Sequence, residues 1–180
     1  KIYAGLDRNR EALSVSAREY THRLAGTSRK HLELVTHPEP RQSFLAGMKT
    51  ANHLIYILAG AWAREQGADE ALILNPDGTV SETNSANIVL LSGSQAIVPS
   101  SRHVLPGVMQ AKALKALVDL GWERVESQVG RQDLVQAEAV LVTNSLFGVL
   151  GAGRLDGTGL NVRDEVVDRV NELVFGKEIL

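Results

Sequence analysis

"ALILNPDGTVSETNSANIVLLSGSQAIVPS" runs from Ala71 to Ser100, and its punctuation decides the fold class. Pro76-Asp77-Gly78 is a turn signal between two short strand-like runs, "EALILN" and "TVSE". "NIVLLSG" and "SQAIVPS" pair back on each other across the Ser92-Gly93-Ser94 turn. Strands joined by tight turns are antiparallel neighbours, because a parallel pair needs a long crossover. Helical patterns lie apart from these hairpins. The combination reads as α+β with a mixed sheet rather than a doubly wound parallel fold.

Working outward, "KHLELVTHPEPRQS" contains a short strand ended by Pro38 and Pro40, and it has the look of a linker. "REALSVSAREYTHRLAG" suits a helix. From Lys49 to Gln66, Leu54, Leu58, Ala61 and Trp62 recur at helical spacing, with Gly67 as the stop. "LPGVMQAKALKALVDLG" reads as a glycine-led helix closed by Gly121. "ERVESQV" alternates like a strand, "RQDLVQA" is one or two helical turns, and "AVLVTNS" and "FGVLGA" are strands. "NVRDEVVDRVNELVFG" is an amphipathic helix with Val166, Val170 and Leu173/Val174 on its apolar side.

Composition narrows the function. The 180 residues are 44% hydrophobic and 22% charged, as in an ordinary globular domain. A net charge of −2 gives no electrostatic footprint for nucleic acid or anionic membrane. The absence of cysteine excludes disulfides, thiolate catalysis and cysteine-based metal sites, and no metal site is expected. The first residues lack the apolar h-region of a signal peptide, and a cytoplasmic protein acting on a small molecule is expected.

The chemistry-bearing positions begin at "FLAGMKTANHLIYILAGAW", Phe44 to Trp62. Lys49 is the sole Asp, Glu, Lys or Arg between Arg41 and Arg64. The stretch is long enough to suggest a membrane span, but a charge there is costly, and a buried helix fits better. Lys49 has two readings. It is either a helix-start lysine whose stem packs while its head reaches water, or a desolvated amine whose lone pair is freed for nucleophilic attack. The second invites a carbonyl cofactor, of which pyridoxal phosphate is the commonest. Such a cofactor needs a carboxylate for its ring nitrogen and a phosphate cradle, ideally at a helix N-terminus. Glu82 lies in the polar island "SETNSAN"; Gly107 precedes a helix without an acidic residue in its first turn; Thr143, Asn144 and Ser145 end an apolar strand. Each of these is also an ordinary loop, helix entry or turn.

In order, "MKTANHL", "SETNSANI", "LPGVMQ" and "VTNSLFGVL" resemble the fold-type IV pyridoxal phosphate-dependent enzymes. That family holds branched-chain aminotransferases, D-amino acid aminotransferases and 4-amino-4-deoxychorismate lyases. The resemblance covers about Arg41 to Ala152 and continues more loosely to the last helix. It implies the large C-terminal domain of the D-amino acid aminotransferase-like fold, a mixed sheet or barrel with flanking helices. Lys49 would carry the cofactor as a Schiff base and move protons. Glu82 would pair with the pyridinium nitrogen, and the backbone N–H groups of Val108 and Met109 would bind phosphate with Asn144 and Ser145. Asn87 would be structural. The family also implies a homodimer, with sites near the subunit interface.

The same resemblance sets expectations for domains and reaction. Residues 44–180 would be the cofactor-binding large domain, and residues 1–43 the end of a smaller N-terminal domain and linker. The missing part of that domain would supply a phosphate-binding arginine and much of the substrate pocket, leaving this chain alone weak in binding and turnover. Gln110 stands where an arginine is usual, "GVLGA" lacks a usual proline, and Gly148 stands where aminotransferases often place a glutamate. The Lys-x-x-Asn spacing and the Asn-Ser-Leu segment are similar to the lyases. The first expectation is therefore conversion of 4-amino-4-deoxychorismate to 4-aminobenzoate and pyruvate, in folate biosynthesis. A D-amino acid or branched-chain aminotransferase is the alternative, and a non-catalytic or incomplete fragment of such an enzyme the second alternative.

Overall fold

The computed structural model describes residues 2–7, 10–17, 19 and 30–176. A two-stranded antiparallel sheet of β1 (Ile2–Asp7) and β2 (Arg10–Val15) stands apart from the main sheet. The helix expected over "REALSVSAREYTHRLAG" is corrected here: its first part is the β2 strand, with Leu13 and Val15 exposed, and most of the remainder lies outside the described residues. Alternation in Arg10–Val15 supports an extended ribbon as well as it supports a helix, and pairing with β1 decides it.

The main sheet is mixed. Its strands are β3 (Leu32–Thr36), β4 (Glu70–Leu74), β5 (Val80–Thr83), β6 (Asn87–Ser92), β7 (Gln95–Pro99), β8 (Glu123–Ser127), β9 (Ala139–Asn144) and β10 (Gly148–Leu155), with the short β11 (Thr158–Gly159) paired to β10. They lie in the order β5-β4-β3-β10-β9-β6-β7-β8. Both hairpins expected from the turn signals form: β4–β5 and β6–β7 are antiparallel. The pairs β3–β4, β3–β10 and β7–β8 are parallel. One long strand carries the join. β10 pairs with β9 through Gly148–Gly151 and with β3 through Ala152–Leu155, with a register shift between Ala152 and Arg154. The shift bends the strand and curls the sheet into a half-barrel.

Four helices flank this sheet: α1 (Leu54–Glu65), α2 (Val108–Asp119), α3 (Arg131–Gln136) and α4 (Asp164–Phe175). One face of the sheet buries Leu32, Leu34, Leu72, Ile88, Leu90, Val140, Val142 and Leu155, with Leu134 of α3 among them. The other face turns Val89, Leu91 and Leu141 onto α2 and α4. Strands covered on both faces are hydrophobic at every position, which is why "NIVLL" shows no alternation. Each fully buried Leu or Ile of this kind contributes roughly 1.5–3 kcal/mol. On α4, Val166 and Val170 are buried and Val174 packs against their cluster as expected, whereas Leu173 is 46% exposed. The helix expected from Lys49 starts only at Leu54, and none of the described helices is long and apolar enough to cross a membrane.

Asp156 ties three parts of this frame together. It accepts hydrogen bonds from the backbone N–H of Thr36 at 2.6 Å, the Thr36 hydroxyl at 2.7 Å and Arg131 Nε at 2.6 Å. Burial opposes its ionisation, but the bonds from Thr36 and the Arg131 guanidinium outweigh burial and hold its carboxyl below the usual range. Asp156 has φ +49°, which Asn also tolerates, so Asp156→Asn removes the charge without straining the turn. A folded-state pKa below the unfolded one, about 3.9, means full stabilisation above that pH, fading as pH falls through the folded value. We expect Asp156→Asn to cost about 1–2 kcal/mol at neutral pH. Urea melts should show the gap to the unsubstituted chain closing as the pH is lowered below that range.

Candidate active site

The polar residues gather where β5 ends and β6 begins. Glu82 is 4% exposed, on a strand whose four residues are all buried. A carboxylate in such a place needs partners, and three come from separate segments. Arg41 Nη1, from the chain after β3, donates to Oε1 at 2.8 Å, and the Tyr56 hydroxyl of α1 donates to the same oxygen at 2.6 Å. The Leu105 N–H, just before α2, donates to Oε2 at 3.2 Å. Burial holds the Glu82 carboxyl above its usual range, although Tyr56, Leu105 and Arg41 pull against it. Burial and the hydrogen bond to Glu82 raise the Tyr56 phenol well above its usual value, so it stays protonated and donates.

These bonds also place the start of α2. Arg41 Nη1 and the Ser81 hydroxyl both donate to the His103 carbonyl, at 3.1 and 2.9 Å. Asn87 Nδ2 donates to the Leu105 carbonyl at 2.8 Å, which accords with its structural reading. Gly107 lies so close to Asn87 that a Cβ there would meet Oδ1 at 1.9 Å. The helix that follows has no acidic residue in its first turn and no side-chain cap, so the first N–H groups, those of Val108 and Met109 included, have no intrahelical acceptor. The Val108 side chain is exposed and Met109 is buried. Gln110, where an arginine was expected, turns into the sheet and donates to the Ile88 carbonyl at 3.1 Å.

The turn after β9 joins this cluster through Asn144, whose Nδ2 donates to the Ser85 carbonyl at 3.3 Å. Asn144 Oδ1 accepts from the N–H groups of Leu146 and Phe147, at 2.9 and 3.0 Å, so its side chain shapes the turn. Ser145 is exposed in that turn. Thr143 pairs with Asn87 across the sheet, and its hydroxyl is buried without a hydrogen-bond partner among the described residues. Glu70, fully buried at the start of β4, accepts from the hydroxyls of Thr83 and Ser85 and from the Ser85 N–H, and so braces the loop that follows Glu82.

Lys49 lies on the chain between Arg41 and Tyr56, both of which bond Glu82. Its expected burial in a helix is not met: it is exposed, in the loop before α1. The apolar run around it is half outside too. Phe44, Met48, Leu54, Ile57 and Leu58 are 89, 63, 63, 62 and 57% exposed, while Ala59, Gly60 and Ala63 face the sheet. Arg41 and Tyr56 were not singled out from sequence. The one signal was that Arg41 is the last charge before Lys49 and Tyr56 the one polar aromatic inside "LIYILAGAW".

The chain matches the family model of amino-transferase class IV over residues 3–155. The chain belongs to the class IV aminotransferase family. Among relatives of this class IV chain, a probable branched-chain-amino-acid aminotransferase of Synechocystis sp. is 23% identical over 137 residues, covering 76% of this chain and 45% of the relative. One from Aquifex aeolicus is 32% identical over 101 residues, 55% of this chain and 32% of the relative. Among solved structures, a putative 4-amino-4-deoxychorismate lyase of Legionella pneumophila superposes with a TM-score of 0.79 at 25% identity, covering 91% of this chain and 62% of that one. A branched-chain aminotransferase of Thermoproteus uzoniensis shares the fold, with a TM-score of 0.80 at 20% identity over 93% of this chain and 59% of that one. The class IV chain thus spans under half the length of the curated relatives named here and about three fifths of the two solved chains.

The close approach at Gly107 gives a direct test of how the class IV site is built. Gly107→Ala is expected to break the bond between Asn87 and Leu105 and to cost about 2–3 kcal/mol, as overpacking plus a lost buried hydrogen bond. Thermal melts of the two proteins measure it.

Proposed function

We propose that this chain is the cofactor-binding part of a pyridoxal phosphate-dependent aminotransferase that moves an amino group between an amino acid and a 2-oxo acid. One observation carries the reading. A buried carboxylate, Glu82, is bonded through Leu105 to the entry of an acid-free helix start at Val108 and Met109. A cationic ring nitrogen and a phosphate need such a pair. The residues present fit the cofactor in charge and kind: a buried anion for the ring, backbone donors at the helix start, a buried Thr143 hydroxyl opposite Asn87 that has no partner among the described residues, and an amine at Lys49. When bound, the cofactor supplies an electron sink for the bond broken at the substrate's α-carbon.

In this reading the chain's own residues hold and move charge. Lys49 would hold the cofactor through Nζ and would move the proton at the substrate's α-carbon. Glu82 would hold the ring nitrogen in its protonated form. Val108 and Met109 would donate their N–H groups to phosphate, with Asn144 and Ser145 as further donors. Residues 44–180 act as most of the large domain, and β3 and Arg41 from residues 1–43 belong to it as well, in the main sheet and on Glu82. The exposed apolar face of Phe44, Met48, Leu54, Ile57 and Leu58 is larger than scattered surface residues account for, which supports a covering partner, in this family a second copy.

A lyase acting on 4-amino-4-deoxychorismate is the second reading, and Gly148 favours it. Gly148 has φ +75°, and a Cβ there would meet Asn171 Oδ1 and a ring carbon of Phe175 at 2.7 Å, so the position has no room for the glutamate often found in aminotransferases. The relatives with branched-chain aminotransferase names favour the first reading.

Borohydride reduction in the presence of excess pyridoxal phosphate, followed by peptide mapping, tests the shared part. Label is expected on Lys49; label on Lys112 or Lys115 instead overturns the assignment. Glu82→Gln should keep the label at Lys49 while turnover falls far more than occupancy. Assays with amino acid and 2-oxo acid pairs, against 4-amino-4-deoxychorismate, then separate the readings: pyruvate and 4-aminobenzoate from the latter, without amino transfer, would make the enzyme a lyase.

A further inference from the structure

Glu82 is held unequally at its two oxygens. A carboxylate oxygen has two lone-pair sites. Oε1 accepts from both Arg41 Nη1 and the Tyr56 hydroxyl, at 2.8 and 2.6 Å. Oε2 accepts only the Leu105 N–H, at 3.2 Å, among the described residues. One lone-pair site on Oε2 therefore remains for a ligand. Tyr56 serves the ion pair twice, because its ring also lies under the Arg41 guanidinium, with Cζ 4.5 Å from the ring centroid. The hydroxyl bonds the anion while the ring face attracts the cation.

We propose that Tyr56 is a positioning residue that favours the ionised form of Glu82, saturates Oε1, and leaves Oε2 as the oxygen that receives the protonated ring nitrogen of the cofactor. The proposal rests on the pyridoxal phosphate reading of the site, but its central claim concerns the ligand-free protein. Arg41 supplies the opposite charge. Alone it would leave Oε1 with a second, unfilled lone-pair site, and the carboxylate free to turn either oxygen to the ligand. A phenol fills that site without adding charge. It stays protonated because burial and Glu82 itself raise its pKa. The other titratable groups nearby are His103, whose Nδ1 lies 3.2 Å from the Ser43 carbonyl; His53, whose ring centroid is 6.4 Å from that of Tyr56; and Glu70, bonded to Thr83 and Ser85. None of them bonds the Glu82 carboxylate.

The test reads Glu82 itself. Carboxyl-13C-glutamate labelling, with Glu82→Gln to assign the resonance, gives its titration midpoint by NMR in the ligand-free 180-residue chain. Tyr56→Phe keeps the ring over Arg41 and removes the hydroxyl. The midpoint should rise by about one to two pH units, the usual effect of a lost hydrogen bond to a charged group. Should Tyr56→Phe fail to fold, incorporation of 3-fluorotyrosine, a more acidic donor, reads the same contact; with Tyr3 and Tyr20 as the other tyrosines, the midpoint of Glu82 should then fall. A midpoint within about 0.3 unit of the unsubstituted protein in either experiment overturns the proposal, since an effect of packing alone does not move opposite ways with donor strength.

Pyridoxine 5′-phosphate, an alcohol that cannot bond covalently to Lys49, probes the ligand side. Tyr56→Phe should weaken its binding about tenfold and make binding fall off with acid at the new Glu82 midpoint. Binding unchanged by the substitution would overturn the assignment of Oε2. Failure of the unsubstituted chain to trap pyridoxal phosphate at Lys49 would instead overturn the functional reading, and would leave the Glu82 titration to be judged separately.

Discussion

Burying one carboxylate organises the site. Glu82 sits on β5 in an interior that cannot solvate it, and an uncompensated charge there would cost several kcal/mol. Its compensation comes from Arg41 in the chain after β3, Tyr56 on α1 and the Leu105 N–H at the entry to α2. Each partner fastens its own segment to the strand. Three stretches distant in sequence therefore converge on one side chain, and the loop holding Lys49 is tethered at both ends by two of them.

The curled sheet makes that convergence possible. β10 splits its pairing between β9 and β3, so the two halves of the sheet bend around one core. Apolar residues fill one face and the α2–α4 face, and polar chemistry is left to the strand ends. Ser81, Glu82 and Asn87 of β5 and β6 grip the backbone of residues 103–105, and Asn144 at the end of β9 grips Ser85. The helix that follows Gly107 then starts with unpaired N–H groups aimed from a fixed point, the arrangement by which helix starts bind anions.

The surface around Lys49 differs from an ordinary protein exterior. Phe44, Met48, Leu54, Ile57 and Leu58 are exposed on the same stretch as Lys49, which is its one charge between Arg41 and Arg64. Lys49 is exposed in the chain by itself. Gln110 carries a related lesson. Its place in the motif suggested a missing cation at the phosphate, but its side chain points away and satisfies the Ile88 carbonyl.

The sequence by itself determined the eight longer strands of the main sheet, the two hairpins, the mixed α+β class and the order of four motifs, because these depend on local periodicity and turn residues. "NPDG" and "SGS" are short-range signals, and continuous apolar runs such as "NIVLL" mark strands covered on both faces. Local pattern misled where two structures share it: Arg10–Val15 pairs as a strand, and the helix expected from Lys49 begins only at Leu54. Glu82 was legible as a lone carboxylate in a polar island. Arg41 and Tyr56 were not, since their distances from Glu82 along the chain are set by how α1 and the β3–β4 connection pack on the sheet. Nor was the unequal use of Oε1 and Oε2. Those choices belong to the tertiary structure alone, because a buried charge is satisfied by groups that are near in space, and nearness in space is what a one-dimensional pattern does not encode.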